Sequence, residues 1–348
     1  MIEKLLRNTV KELHQYVPGE PIEKVKEKYG VKEIIKLASN ENPLGPSPKA
    51  METMIEMLKQ GQLYPEPEAN ELRRKLAEKL DLKPENFIVA NGADNVITLI
   101  GEAFINRGDE VIYCNPTFPS YRTATIKNEG IPVEVPLTED YKYDLQGILD
   151  RITDKTKLIC VCNPNNPTGT IVDDKELEEF LKKVPENIIT ILDEAYIEFL
   201  TVPNYVDGLK YVRENYNVIV TRTFSKIYGL AGLRVGYGIA KDEIIRTLFT
   251  VKEPFSANRV AISGATAALD DEEFTKMGFD VVDSQSNFLY VDMKTDIPKL
   301  FEDLKKRGFV IRPSATHARV SIGTMEENKK FVAVLKEILN IKGEPSIG

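Results

Sequence analysis

Tryptophan is absent from this 348-residue chain, histidine occurs twice (His14, His317) and cysteine three times (Cys114, Cys160, Cys162). Neither histidine has partners in sequence for a metal site or a Ser-His-Asp constellation, so no metal is expected. Each cysteine falls in or beside an apolar run. Buried, reduced thiols are therefore expected rather than a disulfide framework, and with them a cytoplasmic setting. No apolar stretch approaches the roughly 20 residues of a membrane span. The charged, amphipathic N-terminus, MIEKLLRNTVKELHQY, does not read as a secretory leader. Positive charge is not in excess: 46 lysines and arginines against 54 aspartates and glutamates give a net charge of −8. That balance, without any basic run, argues against nucleic acid as a partner.

What is present is a chain that is 42% apolar and long enough for two domains with a large core. Between residues 86 and 250, short apolar strands alternate with amphipathic helices, the pattern of a mainly parallel, helix-covered α/β sheet. Three of those strands end in chemically useful residues. The run Leu158–Val161 enters CNPNNPTG (Cys162–Gly169), and IITILDEAY (Ile188–Tyr196) closes on Asp193 and Glu194. The β-branched run Val218–Thr221 leads to Ser225 and Lys226, with Arg234 eight residues after the lysine. Ligands of open parallel sheets bind at this carboxyl edge. An ammonium group at the end of a buried strand is costly and titrates easily, which suits Schiff-base chemistry. Pyridoxal phosphate (PLP) needs an amine for its aldehyde, a carboxylate for its pyridine nitrogen and a donor near its 3-oxygen.

Two further stretches fit a phosphorylated ring. Asn91–Asn95 is a glycine-containing turn opening a helix, which presents free N–H groups and a positive dipole end. Phe118, after the strand Val111–Cys114, offers an aromatic face for stacking. Glu194, beside Asp193, reads as a cap or supporting group rather than a contact.

The motifs NPNNPTG, LDEAY and TFSK, the trailing arginine and the loop SNENPLG (Ser39–Gly45) together resemble the fold-type I PLP-dependent aminotransferases. Among these the chain looks most like the histidinol-phosphate aminotransferase family. The resemblance implies a mainly parallel seven-stranded sheet with helices on both faces, plus a small α+β C-terminal domain. Residues 1–36 would be an arm on the small domain and partner subunit, residues 37–251 the large PLP-binding domain, and residues 252–348 the small domain. Lys226 would carry PLP and act with Asp193 and Tyr196 in catalysis. Asn166 and Tyr196 would meet the 3-oxygen, Asp193 the ring nitrogen and Phe118 the ring face. Ala93, Asp94, Thr223, Ser225 and Arg234 would hold the phosphate, with Tyr64 reaching it from the other subunit of a homodimer. Asn42, Leu44, Arg312 and Arg319 are the implied substrate contacts, as is Tyr16, which reads equally as a packing anchor of the arm.

The implied reaction is transamination of L-histidinol phosphate with 2-oxoglutarate, giving imidazole acetol phosphate and L-glutamate in histidine biosynthesis. An aromatic amino-acid aminotransferase, a PLP lyase such as threonine-phosphate decarboxylase, and a catalytically silent module remain alternatives. The sequence departs from the family twice. A helix-length segment, roughly 25 residues, is missing after Phe274, and about half a dozen residues are missing between Arg312 and Ala315. Extra residues at both junctions are expected in the natural chain; an intact mass equal to that of these 348 residues would overturn the expectation.

Overall fold

The computed structural model describes residues 2–13, 21–203, 205, 207–271, 284–314 and 316–340. Its strands are β1 (Ile35–Leu37), β2 (Phe87–Ala90), β3 (Glu110–Asn115), β4 (Ile131–Pro136), β5 (Thr156–Cys162) and β6 (Ile189–Asp193). They continue with β7 (Val218–Thr223), β8 (Gly236–Ala240), β9 (Phe288–Asp292), β10 (Phe309–Pro313) and β11 (His317–Ser321). The chain divides into two compact units, Met1–His14 with Gly45–Ser286, and Gln15–Leu44 with Asn287–Gly348.

The larger unit is built on a seven-stranded sheet of order β2-β8-β7-β6-β5-β3-β4. Only β8 runs antiparallel to its neighbours. The central strands β5, β6 and β7 are buried almost throughout, which is why they read as continuous apolar runs rather than alternating ones. The register sets Cys162 beside Asp193 and Asp193 beside Thr221, so the carboxyl ends of these three strands lie level. The three cysteines are free and buried. Burial pushes their thiols up, that of Cys114 to about 12, which leaves them inert at ordinary pH.

The smaller unit carries a four-stranded sheet of order β1-β10-β11-β9. Ile35, Leu37, Leu300, Leu304, Phe309, Ile311 and Phe331 form its core with the helices Ile297–Lys305 and Met325–Leu339. Ser314 N–H donates to the His317 carbonyl at 2.8 Å in the tight turn from β10 to β11, where the second sequence shortfall lies. The first, after Phe274, lies outside the described residues.

The division differs from the expected boundaries. Helix Arg259–Ala268 packs on helix Pro48–Leu58, which ties residues beyond 252 to the larger unit. Residues before 45 supply β1, whose parallel pairing with β10 ties them to the smaller one. The start of the chain joins the larger unit, not the smaller: helix Asn8–Glu12 packs on helix Ser120–Lys127, and Arg7 donates to the Lys127 carbonyl at 3.1 Å. Its described N-terminal residues form a 3₁₀ turn, Ile2–Leu5, and the short helix Asn8–Glu12.

Candidate active site

Asp193 ends β6 and is 3% exposed. Tyr121 Oη donates to its Oδ2 at 2.7 Å and Ala195 N–H to its Oδ1 at 3.2 Å. Burial raises its pKa above the ordinary carboxyl value, and the hydrogen bonds from Tyr121 and Ala195 oppose the rise. The carboxyl group is thus desolvated and held by neutral donors, and an environment of that kind favours a cationic partner for its charged form.

A cup lies where β2, β7 and β8 meet the first turn of helix Ala93–Phe104. Gly92 precedes that helix at φ +86°, a backbone open to glycine. A Cβ there would sit 2.6 Å from Arg234 Nη2, and one on Gly236 would press into Gly92 and Ala93. Arg234 donates to Ser225 Oγ at 3.3 Å and stands 3.8 Å from Asp94 Oδ2, while Ser120 Oγ donates to Asp94 Oδ1 at 2.6 Å. Thr223 Oγ1 accepts the Ser225 N–H at 3.0 Å and so shapes the loop before Lys226. Free amides, a hydroxyl and a guanidinium on one rim form a donor set suited to a phosphate. The Asp94 carboxylate is turned to Ser120 and Arg234, so its backbone N–H, in the first turn of the helix, is the group suited to an anion.

Lys226 follows this loop, with Nζ 5.6 Å from the centroid of the buried Tyr196 ring. After β5, Asn163 bonds both backbone groups of Val172, and Asn165 links Pro116, Thr117 and Thr168. Both are buried, whereas Asn166 stays partly exposed. Phe118, half-buried after β3, meets Tyr121 edge-on with centroids 5.9 Å apart at 78°. The larger unit therefore gathers Ala93, Asp94, Phe118, Asn166, Asp193, Tyr196, Thr223, Ser225, Lys226 and Arg234 around the carboxyl edge of one sheet. Tyr64 stands apart from them, 78% exposed and stacked on Phe255 at 4.7 Å.

Glu194 points away from this set. It accepts two bonds from Arg222, at 2.7 and 2.9 Å, and one from Gly208 N–H at 2.6 Å; Arg222 also pairs with Asp207 at 2.6 Å. It is a buried support for the β6–β7 ends.

The smaller unit holds the remaining candidates. Arg312 and Arg319 pair across β10 and β11. Arg319 Nη2 donates to the Ala38 carbonyl at 2.6 Å, and its guanidinium lies 5.4 Å from the Phe288 ring centroid. Asn42 Oδ1 accepts the Leu44 N–H at 2.9 Å, and Leu44 is 46% exposed. Asn40, not singled out in the sequence, anchors this loop: it exchanges bonds with Ser321 Oγ at 2.8 Å and its carbonyl accepts Asn287 at 3.1 Å. Tyr16 lies outside the described residues. His317 stacks on Tyr290 at 4.6 Å and bonds Thr316. Sequence reasoning also missed Tyr121 and Ser120; the one signal was their place three and two residues after Phe118, at a helix start. Among the described residues no cluster of His, Cys, Asp or Glu is placed to hold a metal ion, and no helix is long and apolar enough to cross a membrane.

Known proteins place this arrangement. The model of the family "Aminotransferase class I and II" matches residues 32–335. A histidinol-phosphate aminotransferase of Moorella thermoacetica is 43% identical, over 96% of this chain and 92% of its own. One from Caldicellulosiruptor saccharolyticus is 42% identical, over 96% of this chain and 100% of its own. The crystal structure of a histidinol-phosphate aminotransferase from Sinorhizobium meliloti, in complex with pyridoxal-5'-phosphate, superposes with a TM-score of 0.87 at 25% identity. It covers 96% of this chain and 97% of its own. With matches of this extent, the chain belongs to the class I and II aminotransferases and, within them, to the histidinol-phosphate aminotransferase family.

Proposed function

We propose that the chain transfers the amino group of L-histidinol phosphate to 2-oxoglutarate, yielding imidazole acetol phosphate and L-glutamate for histidine biosynthesis, with PLP as cofactor. The observation that carries this reading is Asp193: a buried carboxylate with neutral donors, level with the ends of β5 and β7. Its demand for a cationic neighbour fits a protonated pyridine nitrogen, and the donors around Gly92 fit the phosphate.

When bound, PLP supplies an aldehyde and an electron-accepting ring. Lys226 Nζ is the amine that would hold the aldehyde, and the same nitrogen, when free, would be the group to take a proton from the substrate α-carbon as general base and to return one as general acid. Asp193 would keep the ring nitrogen protonated. Asn166 and Tyr196 would hold the 3-oxygen, Phe118 would offer its face to the ring, and Ala93, Asp94, Thr223, Ser225 and Arg234 would hold the phosphate. Arg319 and Arg312, with Tyr16, Asn42 and Leu44, take the substrate anions, since a guanidinium fork accepts phosphate and carboxylate alike.

We also read the chain as a cytoplasmic homodimer. Helix Pro48–Leu58 buries Ala50 and Met54 but leaves Met51, Ile55 and Leu58 between 43% and 62% exposed, next to Tyr64 at 78%. An apolar helical stripe of that kind supports a second copy as its cover, with Tyr64 serving the partner's phosphate. The free, buried cysteines support a reducing compartment.

The test is a half-reaction in which the PLP form is mixed separately with L-histidinol phosphate, L-glutamate and L-phenylalanine while the cofactor absorbance is followed. Rapid bleaching by the first two and slow bleaching by phenylalanine is expected. Phenylalanine as the fastest donor would overturn the pathway, and turnover without a 2-oxo acid would overturn the reaction class.

A further inference from the structure

Tyr121, the second residue of helix Ser120–Lys127, is 2% exposed and is used by none of the steps above. Its hydroxyl donates to Asp193 Oδ2 at 2.7 Å, 72 residues away in sequence. The same ring lies edge-on to Phe118, with centroids 5.9 Å apart at 78°, and is backed by Tyr113 at 6.2 Å. One rigid side chain thus touches both the carboxylate assigned to the ring nitrogen and the aromatic assigned to the ring face.

We propose that Tyr121 is a positioning residue that fixes Asp193 and Phe118 together and so sets the cofactor's plane and its ring-nitrogen contact. The inference rests on the roles given to Asp193 and Phe118 under the proposed function. Its physical content is twofold. A carboxylate has a rotatable terminal torsion, and donors on both oxygens, Ala195 N–H and Tyr121 Oη, lock it. The Tyr121 bond also favours the ionised form against burial, and only the ionised form can hold a proton on the ring nitrogen. Burial, and then the Asp193 charge, keeps the phenol protonated, so it remains a donor. The other ionisable groups facing the pair are Cys160 and Cys162 on β5, Tyr143 and Asp94.

The test titrates PLP into the cofactor-free protein across pH, with Tyr121→Phe, Tyr121→Leu and Asp193→Asn beside the wild type. Tyr121→Phe removes the donor and keeps the ring. PLP affinity should fall on the order of tenfold at neutral pH, and the acid limb of binding should move to higher pH as Asp193 becomes easier to protonate. Circular dichroism of the bound cofactor should persist in this variant and be lost or reduced in Tyr121→Leu, which also frees Phe118. In the Asp193→Asn background, adding Tyr121→Phe should have little further effect. A Tyr121→Phe protein that binds PLP like the wild type at every pH, while Asp193→Asn binds weakly, overturns the inference alone. Wild-type binding by Asp193→Asn overturns the role of Asp193 itself. An equal fall in affinity at all pH values, with melting of the cofactor-free protein lowered in parallel, marks Tyr121 as merely structural and also overturns it.

Discussion

Arg312 and Arg319 stand directly opposite each other across the antiparallel β10–β11 ladder. Like charges in that relationship destabilise a sheet, so the pair is placed at a cost to the fold and needs another justification. Arg319 is partly held already, by the Ala38 carbonyl and the Phe288 face. Two guanidinium groups on one rung suit a doubly charged anion such as a phosphate monoester or a dicarboxylate.

The first prediction follows from that rung. Arg319→Ala should raise KM for histidinol phosphate and for 2-oxoglutarate by about tenfold to a hundredfold. Arg319→Lys should recover only part of the loss, because an ammonium lacks the fork. Arg312→Ala should raise KM for both substrates by a smaller factor, about threefold to tenfold. Steady-state kinetics check all three; normal KM values in Arg319→Ala would remove this arginine from the site.

A second prediction concerns Glu198, in the turn Ile197–Phe199. Its carboxyl is pushed up to about 7, chiefly by burial, with Arg222 opposing and Glu194 adding to the rise. Between the ordinary carboxyl range and about 7, the unfolded chain has released this proton while the folded chain retains it. The unfolded state then binds fewer protons, so this group's contribution to stability falls as pH rises through that window and is flat above it. Glu198→Gln should therefore stabilise the protein by about 1–3 kcal/mol at pH around 8, with little gain at pH around 4. Urea unfolding at the two pH values is the measurement, and an equal effect at both would contradict the assignment.

Gly92→Ala gives a third. At φ +86° an alanine is strained, by about 1–2 kcal/mol. Its Cβ would also displace the end of Arg234, 2.6 Å away. That end is flexible, so the guanidinium gives way before the fold does, and the larger effect should fall on the cofactor phosphate. PLP affinity is expected to drop roughly tenfold or more while the urea midpoint moves modestly. Unchanged PLP affinity would mean that Arg234 does not hold the phosphate.

Some of this site was legible in the chain and some was not, for physical reasons. Strands β5, β6 and β7 are buried on both faces, so each reads as an apolar run whose first polar residues mark the carboxyl edge; Asp193 and Lys226 are visible there without coordinates. Tyr121 is not visible, because its partner lies on another element 72 residues away and a buried tyrosine at a helix start resembles ordinary core. The Glu194–Arg222–Asp207 cluster is hidden likewise: its members sit on different elements and meet only through the β6–β7 register. At the N-terminus the amphipathic pattern yields only the short helix Asn8–Glu12, with no side-chain cap and five residues, too few to sustain themselves without packing. The division of the chain was also illegible, since β1 joins the smaller sheet by pairing with β10, more than 270 positions on.

The last prediction tests the second copy. Met51, Ile55 and Leu58 recur at helical spacing on the outer face of Pro48–Leu58, and in the single chain they remain in contact with solvent. A glutamate at Ile55 therefore disturbs nothing inside the protomer, and unfolding stability measured on dissociated protein should stay within about 0.5 kcal/mol of the wild type. In a dimer the same carboxylate would be buried against an apolar partner without a counter-charge, which is strongly unfavourable. Ile55→Glu should sediment as a monomer where the wild type sediments as a dimer. Its transamination should collapse, because Tyr64 could no longer reach the partner's phosphate, whereas Tyr64→Phe should weaken PLP binding without dissociating the dimer. An Ile55→Glu protein that remains dimeric would place the interface elsewhere; one that is monomeric yet fully active would show that each chain completes its own site.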